Sequence, residues 1–223
     1  MKCLILAAGY ATRLYPLTEN FPKPLLKVGD KTILDWLLDD IDASGFVDEY
    51  VVISNHKFAG YFEDWARNKK YKITVADDGT ESNETRLGAV CDVQFAIDKL
   101  NIDDDMLVIA GDNVLDFSLA KFISYCKNKK TSCVMRYYEP SEKKLLKCGV
   151  LTINEHDLIT NRKTTDTGNS LVLSSVLLLH EIGRCTHKRR HRRRLRHGCA
   201  GKLYRMALQA DRHPRYGNAR KPV

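Results

Sequence analysis

The chain has 223 residues, 43% hydrophobic and 29% charged, and a net charge of +8, a composition that excludes fibrous, collagen-like and wholly disordered proteins. No window approaches the roughly 18 uninterrupted apolar residues of a membrane span, and the apolar run at 3–8 is too short for a signal peptide. Because the seven cysteines show no paired spacing, we expect reduced thiols in a cytoplasmic protein without membrane contacts.

Strands and helices are predicted to alternate through the first 160 residues. Strand-like apolar runs occur at 2–7, 50–54, 71–76, 106–110, 132–138 and 149–153. Helical spacing of apolar residues occurs at 33–41, 58–69, 87–95 and 119–126, and Thr32 offers an N-cap for the first of these helices. The alternation predicts an α/β fold in which helices cover a sheet. A later apolar run at 171–179 fits either a strand or a short helix.

The loop after the first predicted strand carries the first chemical signal. Its sequence, LAAGYATRL at 6–14, matches neither the P-loop nor the three-glycine dinucleotide fingerprint. Small residues allow a backbone to approach phosphate closely, and Arg13 and Lys23 supply two cations nearby. Pro22 and Pro24 restrict the backbone on both sides of Lys23 and so position it in part. This pattern favours phosphoryl or nucleotidyl transfer, which depends on placement and on cations facing developing charge.

Two motifs together, LAAGYATRLYPLT at 6–18 and PKPLL at 22–26, resemble the opening of the sugar-phosphate nucleotidyltransferases. The members of that family join a sugar 1-phosphate to a nucleoside triphosphate. The resemblance continues to about residue 155 and implies a three-layer fold, with a mostly parallel open sheet and helices on both faces. One departure is Ala11, where the family often has glycine. We expect its methyl group to tighten the loop slightly without excluding phosphate.

The resemblance also implies how the two substrates are bound. Arg13 would face the leaving phosphates, and Lys23 would neutralise charge across the attacking and α-phosphates. Because the segment 84–89 is similar to the one that faces the base in that family, a glycine in it joins the residues expected to contact the nucleotide. These residues are Leu6, Ala8, Gly9, Tyr10 and Gly88.

A metal site is expected after the central strand. Gly111-Asp112-Asn113 resembles the metal-binding step of the family, and Asp112 would hold Mg²⁺. The position agrees, because open α/β sheets bind ligands at the carboxyl ends of their strands. The alternative is an ordinary turn aspartate that accepts local N–H groups. Asn113 and Gly149 would contact the sugar phosphate.

The composition changes at about residue 160. Residues 1–160 hold 20 Lys and Arg against 25 Asp and Glu, a net charge of −5, whereas residues 161–223 hold 16 against 3, a net charge of +13. We therefore expect a nucleotidyltransferase core over 1–160 and an irregular basic tail rich in Arg and His over 161–223. The Glu-Lys-Pro step and the second metal-binding aspartate that the family would supply there are not recognisable.

Three explanations of the tail stay open. A reading-frame shift near residue 160 would account for the abrupt change of composition and for the missing motifs. A nucleic-acid-binding arm would use the basic run at 188–196. A metal site built from Cys185, His187, His191, His197 and Cys199 lacks the paired cysteine spacing of such sites.

These observations predict a Mg²⁺-dependent enzyme that transfers a nucleotidyl group from a nucleoside triphosphate to a sugar 1-phosphate, or a similar phosphate, and releases pyrophosphate. The first alternative is a catalytically impaired remnant that still binds nucleotide. The second is a nucleic-acid-binding protein that acts only through the tail.

Overall fold

The computed structural model describes residues 1–129, 131–145, 150–154, 159–163 and 171–179. The strands are β1 (Lys2–Leu6), β2 (Lys27–Val28), β3 (Lys31–Thr32), β4 (Glu49–Ser54), β5 (Ile73–Asp77), β6 (Met106–Ala110), β7 (Cys133–Tyr138), β8 (Val150–Ile153), β9 (Ile159–Lys163) and β10 (Leu171–Leu179). The α-helices are α1 (Ile33–Asp42), α2 (His56–Arg67), α3 (Ala89–Leu100), α4 (Leu119–Lys129) and α5 (Glu142–Leu145). Two 3-10 turns lie at Thr12–Leu14 and Lys23–Leu25.

The main sheet has a parallel half and an antiparallel half. The parallel half runs in the order β5-β4-β1-β6, and β1 lies between β4 and β6 in the same direction as both. In the antiparallel half, β10 lies against β6, with Val176 opposite Ile109 and Leu179 opposite Met106. Strands β7 and β8 pair with β10, and β9 pairs with β8. This arrangement confirms the predicted α/β fold, in which the parallel part of the sheet comprises β5, β4, β1 and β6.

Helices cover both faces of the parallel half. Successive residues of a strand point to opposite faces, so β1 contributes side chains to the core on each side. In β1, Cys3 and Ile5 belong to a core cluster that contains the buried faces of α1, α2 and α4. Leu4, between them, belongs to a second cluster that contains the buried residues of α3. The three-layer arrangement expected from the resemblance is thus present.

The helix starts follow local capping rules. Thr32 caps α1 as predicted, since its Oγ1 accepts from Asp35 N at 3.1 Å and Asp35 Oδ2 accepts from Thr32 N at 3.2 Å. At α3 the predicted start is too early, because Leu87 precedes the helix and is 42% exposed. The buried residues of α3 are Asp92, Val93, Ala96 and Ile97.

The regular structure continues beyond residue 160, since β9 crosses that point and β10 follows it. The run 171–179 is a strand. The tail from residue 180 onward, including the basic run and the cysteines and histidines named above, lies outside the described residues. Within the described part of the chain, no helix combines the length and apolar character that a bilayer crossing requires.

Candidate active site

The ends of β1 and β6 bring two distant segments together. The strands are parallel and in register, with Leu6 opposite Ala110 at their carboxyl ends. Beyond this pair, Gly111 N donates to Leu6 O at 2.9 Å, and Ala7 N donates to Ile53 O of β4 at 2.8 Å. The loop after β1 and the segment Gly111-Asp112-Asn113 after β6, called the step, therefore start from the same edge of the sheet.

Gly111 allows this close approach of the two segments. A Cβ atom at this position would lie 2.8 Å from Cγ2 of Ile5, 3.1 Å from Cδ2 of Leu34 and 3.3 Å from the carbonyl oxygen of Leu6. A larger residue would push the step away from β1. The glycine thus sets the position of the aspartate that follows it.

Asp112 forms an ion pair with Lys23, which lies 89 positions earlier in the sequence. Lys23 Nζ donates to Asp112 Oδ2 at 2.9 Å, and the two side chains are 27% and 46% exposed. Lys23 begins a 3-10 turn whose other residues, Pro24 and Leu25, are buried. The backbone that carries the ammonium group is therefore held by packing.

A cavity of about 190 Å³ lies beside this ion pair. Its walls come from the loop after β1, the 3-10 turn at Lys23 and the step after β6. The lining residues are Leu6, Ala7, Gly9, Ala11, Lys23, Pro24 and Asp112. A Cβ atom at Gly9 would have nothing within 4 Å, so the glycine leaves open space above the backbone there. The cavity thus joins a small-residue loop to one cation and one carboxylate.

Three hydrogen bonds from other segments hold the loop after β1. Asn55 Nδ2 donates to Ala8 O at 3.0 Å, and Thr18 Oγ1 donates to Ala11 O at 2.9 Å. Tyr10, which is buried, donates through its hydroxyl to Thr80 O at 3.0 Å. The motif at 6–18 includes Thr18 but does not indicate its hydrogen bond to Ala11. Asn55 could have been found as the N-cap of α2, since its Oδ1 accepts from Phe58 N, but its bond to Ala8 could not.

Ala11 adopts the left-handed conformation, with φ 47° and ψ 39°. A side chain in this region brings Cβ close to the following carbonyl group and costs about 1–2 kcal/mol. The backbone therefore explains why glycine suits this position, and the methyl group is accommodated with strain.

The remaining predicted residues are not among the described residues that line the cavity. Arg13 is exposed on the turn that follows Ala11 and is not among the described residues that line the cavity. Gly88, with φ 86°, is the N-cap residue that precedes α3, and it is also outside the cavity wall. Asn113 follows Asp112 directly. Gly149 lies outside the described residues.

The residues present fit a magnesium ion in part. Asp112 offers a half-exposed carboxylate, the hard oxygen ligand that Mg²⁺ prefers, on the cavity wall. Among the described residues, no group of three or more His, Cys, Asp or Glu side chains gathers in a way that could hold a metal. Mg²⁺ is usually held by one or two carboxylates together with phosphate oxygens and water, so a single carboxylate on the wall is compatible with such a site.

Two further carboxylates, Asp78 after β5 and Asp92 on α3, lie outside the cavity wall. Asp78 Oδ1 accepts from Thr80 N and Oγ1, both at 2.7 Å. Asp78 Oδ2 and Asp92 Oδ1 are buried and have no hydrogen-bond partner among the described residues. Burial, together with the charge of Asp78, raises the pKa of Asp92 to about 6. Asp92 is a buried residue of α3, just after the segment 84–89 that is expected to face the base.

Comparison with known proteins places this geometry in context. A family model described as nucleotidyl transferase matches residues 2–162. The chain is 30% identical over 164 residues to the catalytic subunit beta of mannose-1-phosphate guanylyltransferase from Dictyostelium discoideum, covering 70% of this chain and 42% of that protein. It is 28% identical over 137 residues to a UTP--glucose-1-phosphate uridylyltransferase from Synechocystis sp., covering 58% and 35%. The chain thus spans less than half the length of these relatives.

A solved structure of UDP-glucose pyrophosphorylase complexed with UDP-glucose has the same fold, with a TM-score of 0.66 and 19% identity. The alignment covers 80% of this chain and 75% of that one. At this identity the likeness bears on the fold alone.

Proposed function

The chain belongs to the nucleotidyl transferase family, and from that membership we propose that it transfers a nucleotidyl group from a nucleoside triphosphate to a sugar 1-phosphate. The named relatives act on mannose 1-phosphate and glucose 1-phosphate, which supports the class of acceptor. The family match covers residues 2–162 of this chain, and the activity of the whole protein is a proposal.

The proposed reaction is an in-line displacement at phosphorus. An oxygen of the sugar 1-phosphate attacks the α-phosphorus of the triphosphate, the bond to the bridging oxygen breaks, and pyrophosphate leaves. The attacking phosphate is already anionic at neutral pH, so the protein needs no nucleophile and gains little from a general base. Its task is to align the two phosphates and to face their charge.

Each group at the cavity has a proposed part in that task. The loop from Leu6 to Ala11 provides backbone and open space at Gly9, against which phosphates can lie. The ammonium group of Lys23 faces the attacking and α-phosphates. Arg13, on the exposed turn beside the loop, faces the leaving phosphates.

Asp112 is the proposed protein ligand of Mg²⁺. When bound, the ion neutralises triphosphate charge and so lowers the barrier to displacement. Because the carboxylate lies in the same cavity as Lys23, the protein can present a cation and a metal ligand to one triphosphate.

The observation that carries the proposal is the meeting of Lys23 and Asp112 on one cavity wall with the loop after β1. The two residues are 89 positions apart, and their Nζ and Oδ2 atoms are separated by 2.9 Å. An ordinary turn aspartate, the alternative interpretation of Asp112, would accept from local N–H groups and not from a distant lysine beside a cavity.

Pyrophosphate exchange tests the proposal. The full chain is incubated with Mg²⁺, labelled pyrophosphate and a panel of sugar nucleotides carrying guanine, uracil or thymine. We expect label to appear in the nucleoside triphosphate that is formed from one sugar nucleotide of the panel. Triphosphate binding without exchange would favour the nucleotide-binding remnant, and absence of both would refute the proposal.

A further inference from the structure

Two cysteines are in contact where α4 leads into β7. Cys126 lies in the last turn of α4, and Cys133, seven positions later, is the first residue of β7. Cys126 is buried in the core cluster that contains α1, and Cys133 is partly buried and packs against the same cluster. The two side chains form a hydrogen bond. Because sulfur is the only hydrogen-bonding atom of a cysteine side chain, the two sulfur atoms are in contact.

This contact lies between a helix and a strand from different halves of the sheet. The buried residues of α4 share their core with α1 and with the parallel strand β1. Strand β7 belongs to the antiparallel half, because Cys133 lies opposite Leu178 of β10, and Leu178 lies opposite Leu107 of β6. A covalent bond between the two sulfur atoms would therefore link α4 to the antiparallel strands next to β6.

The two thiols differ in access and in acidity. The hydrogen bond with Cys133, together with burial, raises the pKa of the Cys126 thiol far above its ordinary value. Cys133 is partly exposed, and its Sγ donates to Thr131 O at 3.5 Å. A reagent in solution therefore reaches Cys133 first, with Cys126 beside it as the second thiol. An accessible thiol next to a second cysteine is the usual arrangement of a redox-sensitive site.

We propose that Cys126 and Cys133 are a redox-sensitive dithiol, which a low-molecular-weight disulfide converts into an intramolecular disulfide. The Cys133 thiolate attacks one sulfur of the small disulfide, whose S–S bond breaks, and the released thiolate takes up the proton that Cys133 has lost. The Cys126 sulfur then attacks Cys133, gives up its proton and expels the second small thiolate, which that proton neutralises. The two protein thiols together lose two electrons, and the small disulfide gains them.

Peptide mapping of the full chain tests this inference. Trypsin cleaves after lysine and arginine, so it releases Cys126 within residues 122–127 and Cys133 within residues 131–136, and each peptide has a single cysteine. The folded chain is incubated with oxidised glutathione, and its remaining thiols are then blocked. We expect the two peptides to be joined, and to exceed any other pairing of Cys133 about tenfold, because the sulfur atoms are already in contact. Dithiothreitol should separate them.

Thermal unfolding gives a second readout. The disulfide should raise the unfolding midpoint by roughly 5 °C, since it restricts the unfolded chain. Cys133→Ser should abolish this rise. Cys91→Ser is the matched control, because it removes another partly exposed thiol, from α3, and should keep both the joined peptides and the rise.

Two results would overturn the inference. One is recovery of Cys133 from the folded chain as a free thiol or as a mixed disulfide with glutathione, with Cys126 still open to the blocking reagent. The other is formation of the joined peptides only when oxidation is carried out in urea, which would show that the fold holds the two sulfur atoms apart. Neither readout involves nucleotidyl transfer, so failure of this inference is distinct from failure of the proposed function.

Discussion

Two aspartates follow parallel strands of the same sheet, and their surroundings differ. Asp112, after β6, is half exposed, lines a cavity and is paired with Lys23. Asp78, after β5, turns one oxygen to Thr80, and its other oxygen has no hydrogen-bond partner among the described residues, while burial and the charge of Asp78 raise the pKa of Asp92. A place at the carboxyl edge of a parallel sheet is therefore insufficient to make a site. The aspartate also needs an opposite charge and open space.

The largest effect should come from breaking the pair in the cavity. We expect Lys23→Met and Asp112→Asn each to lower the rate of pyrophosphate exchange roughly a thousandfold, because each removes a charge that faces the reacting phosphates. Folding should change by about 1 kcal/mol or less, since the pair is partly exposed. The measurement is exchange kinetics alongside urea unfolding.

Lys27→Met is the control for this prediction, since it changes the charge equally outside the cavity wall. A comparable loss of exchange in Lys27→Met would show that net charge, and not the position of Lys23, determines the rate. Full activity of Asp112→Asn would remove Asp112 from the metal site.

The buried carboxylate of Asp92 should behave in the opposite way, because we expect its substitution to stabilise the protein. The pKa of Asp92 is raised to about 6 in the folded state, against 3.8 as its ordinary value, so folding favours the protonated form. The contribution of Asp92 to stability is then highest below about pH 4 and falls as the pH rises toward 6, by up to about 3 kcal/mol. In Asp92→Asn the new side chain is neutral at every pH. We therefore expect the variant to unfold at a higher urea concentration than the unmodified chain at pH 7.5, without the decline of stability that ionisation of Asp92 causes.

Asp98→Asn is the matched control, because Asp98 is exposed on the same helix. The two variants are compared by urea unfolding from pH 4 to pH 8. Destabilisation of the Asp92 variant at pH 7.5 would mean that the carboxylate is favoured as an ion, and the contrast with Asp112 would fail.

A third substitution tests the close approach that positions Asp112. Gly111→Ala forces a methyl group against Ile5, Leu34 and Leu6 O, and we expect a loss of about 2 kcal/mol in the free energy of unfolding. Gly60→Ala is the counterpart, since that glycine lies in α2 with open space around it and alanine should stabilise the helix by roughly 0.5–1 kcal/mol. Equal effects of the two substitutions would contradict the packing argument.

The smallest effect concerns the strained loop residue. Ala11→Gly removes the left-handed strain but adds conformational freedom to the unfolded chain, so we expect a net gain of only about 0.5 kcal/mol. Thermal unfolding measures the gain. Ala59→Gly, in the middle of α2, should instead destabilise, and a loss of stability in both variants would show that Ala11 is unstrained.

The sequence predicted the core strands and helices well because their apolar residues have the period of each element. Thr32 was identified as a cap from its local sequence alone, and the structure confirms it. The pattern misplaced the start of α3 because Leu87 fits the apolar spacing of the helix although it lies in the preceding loop. The run 171–179 stayed ambiguous since a short apolar run has the same composition in a buried strand and in a buried helix.

In the candidate site, too, some residues were predicted from the sequence and others were not. Lys23 and Asp112 were named from motifs, and the structure brings them together, while their roles stay predictions. Asn55 and Thr18 were not found, because their hydrogen bonds to loop carbonyls depend on how distant segments pack. Arg13 could be named from the motif but not placed, since the turn that carries it is exposed.

The pairing of β10 with β6 has a consequence for synthesis on the ribosome. Strand β6 ends at Ala110, but the antiparallel neighbour that covers its outer edge begins only at Leu171. While the nascent polypeptide lacks that stretch, the backbone N–H and C=O groups along the outer edge of β6 have no ladder partner from β10, and uncovered edges invite pairing with other chains. The strand that leads into Asp112 is thus shielded only after at least 60 further residues have been made.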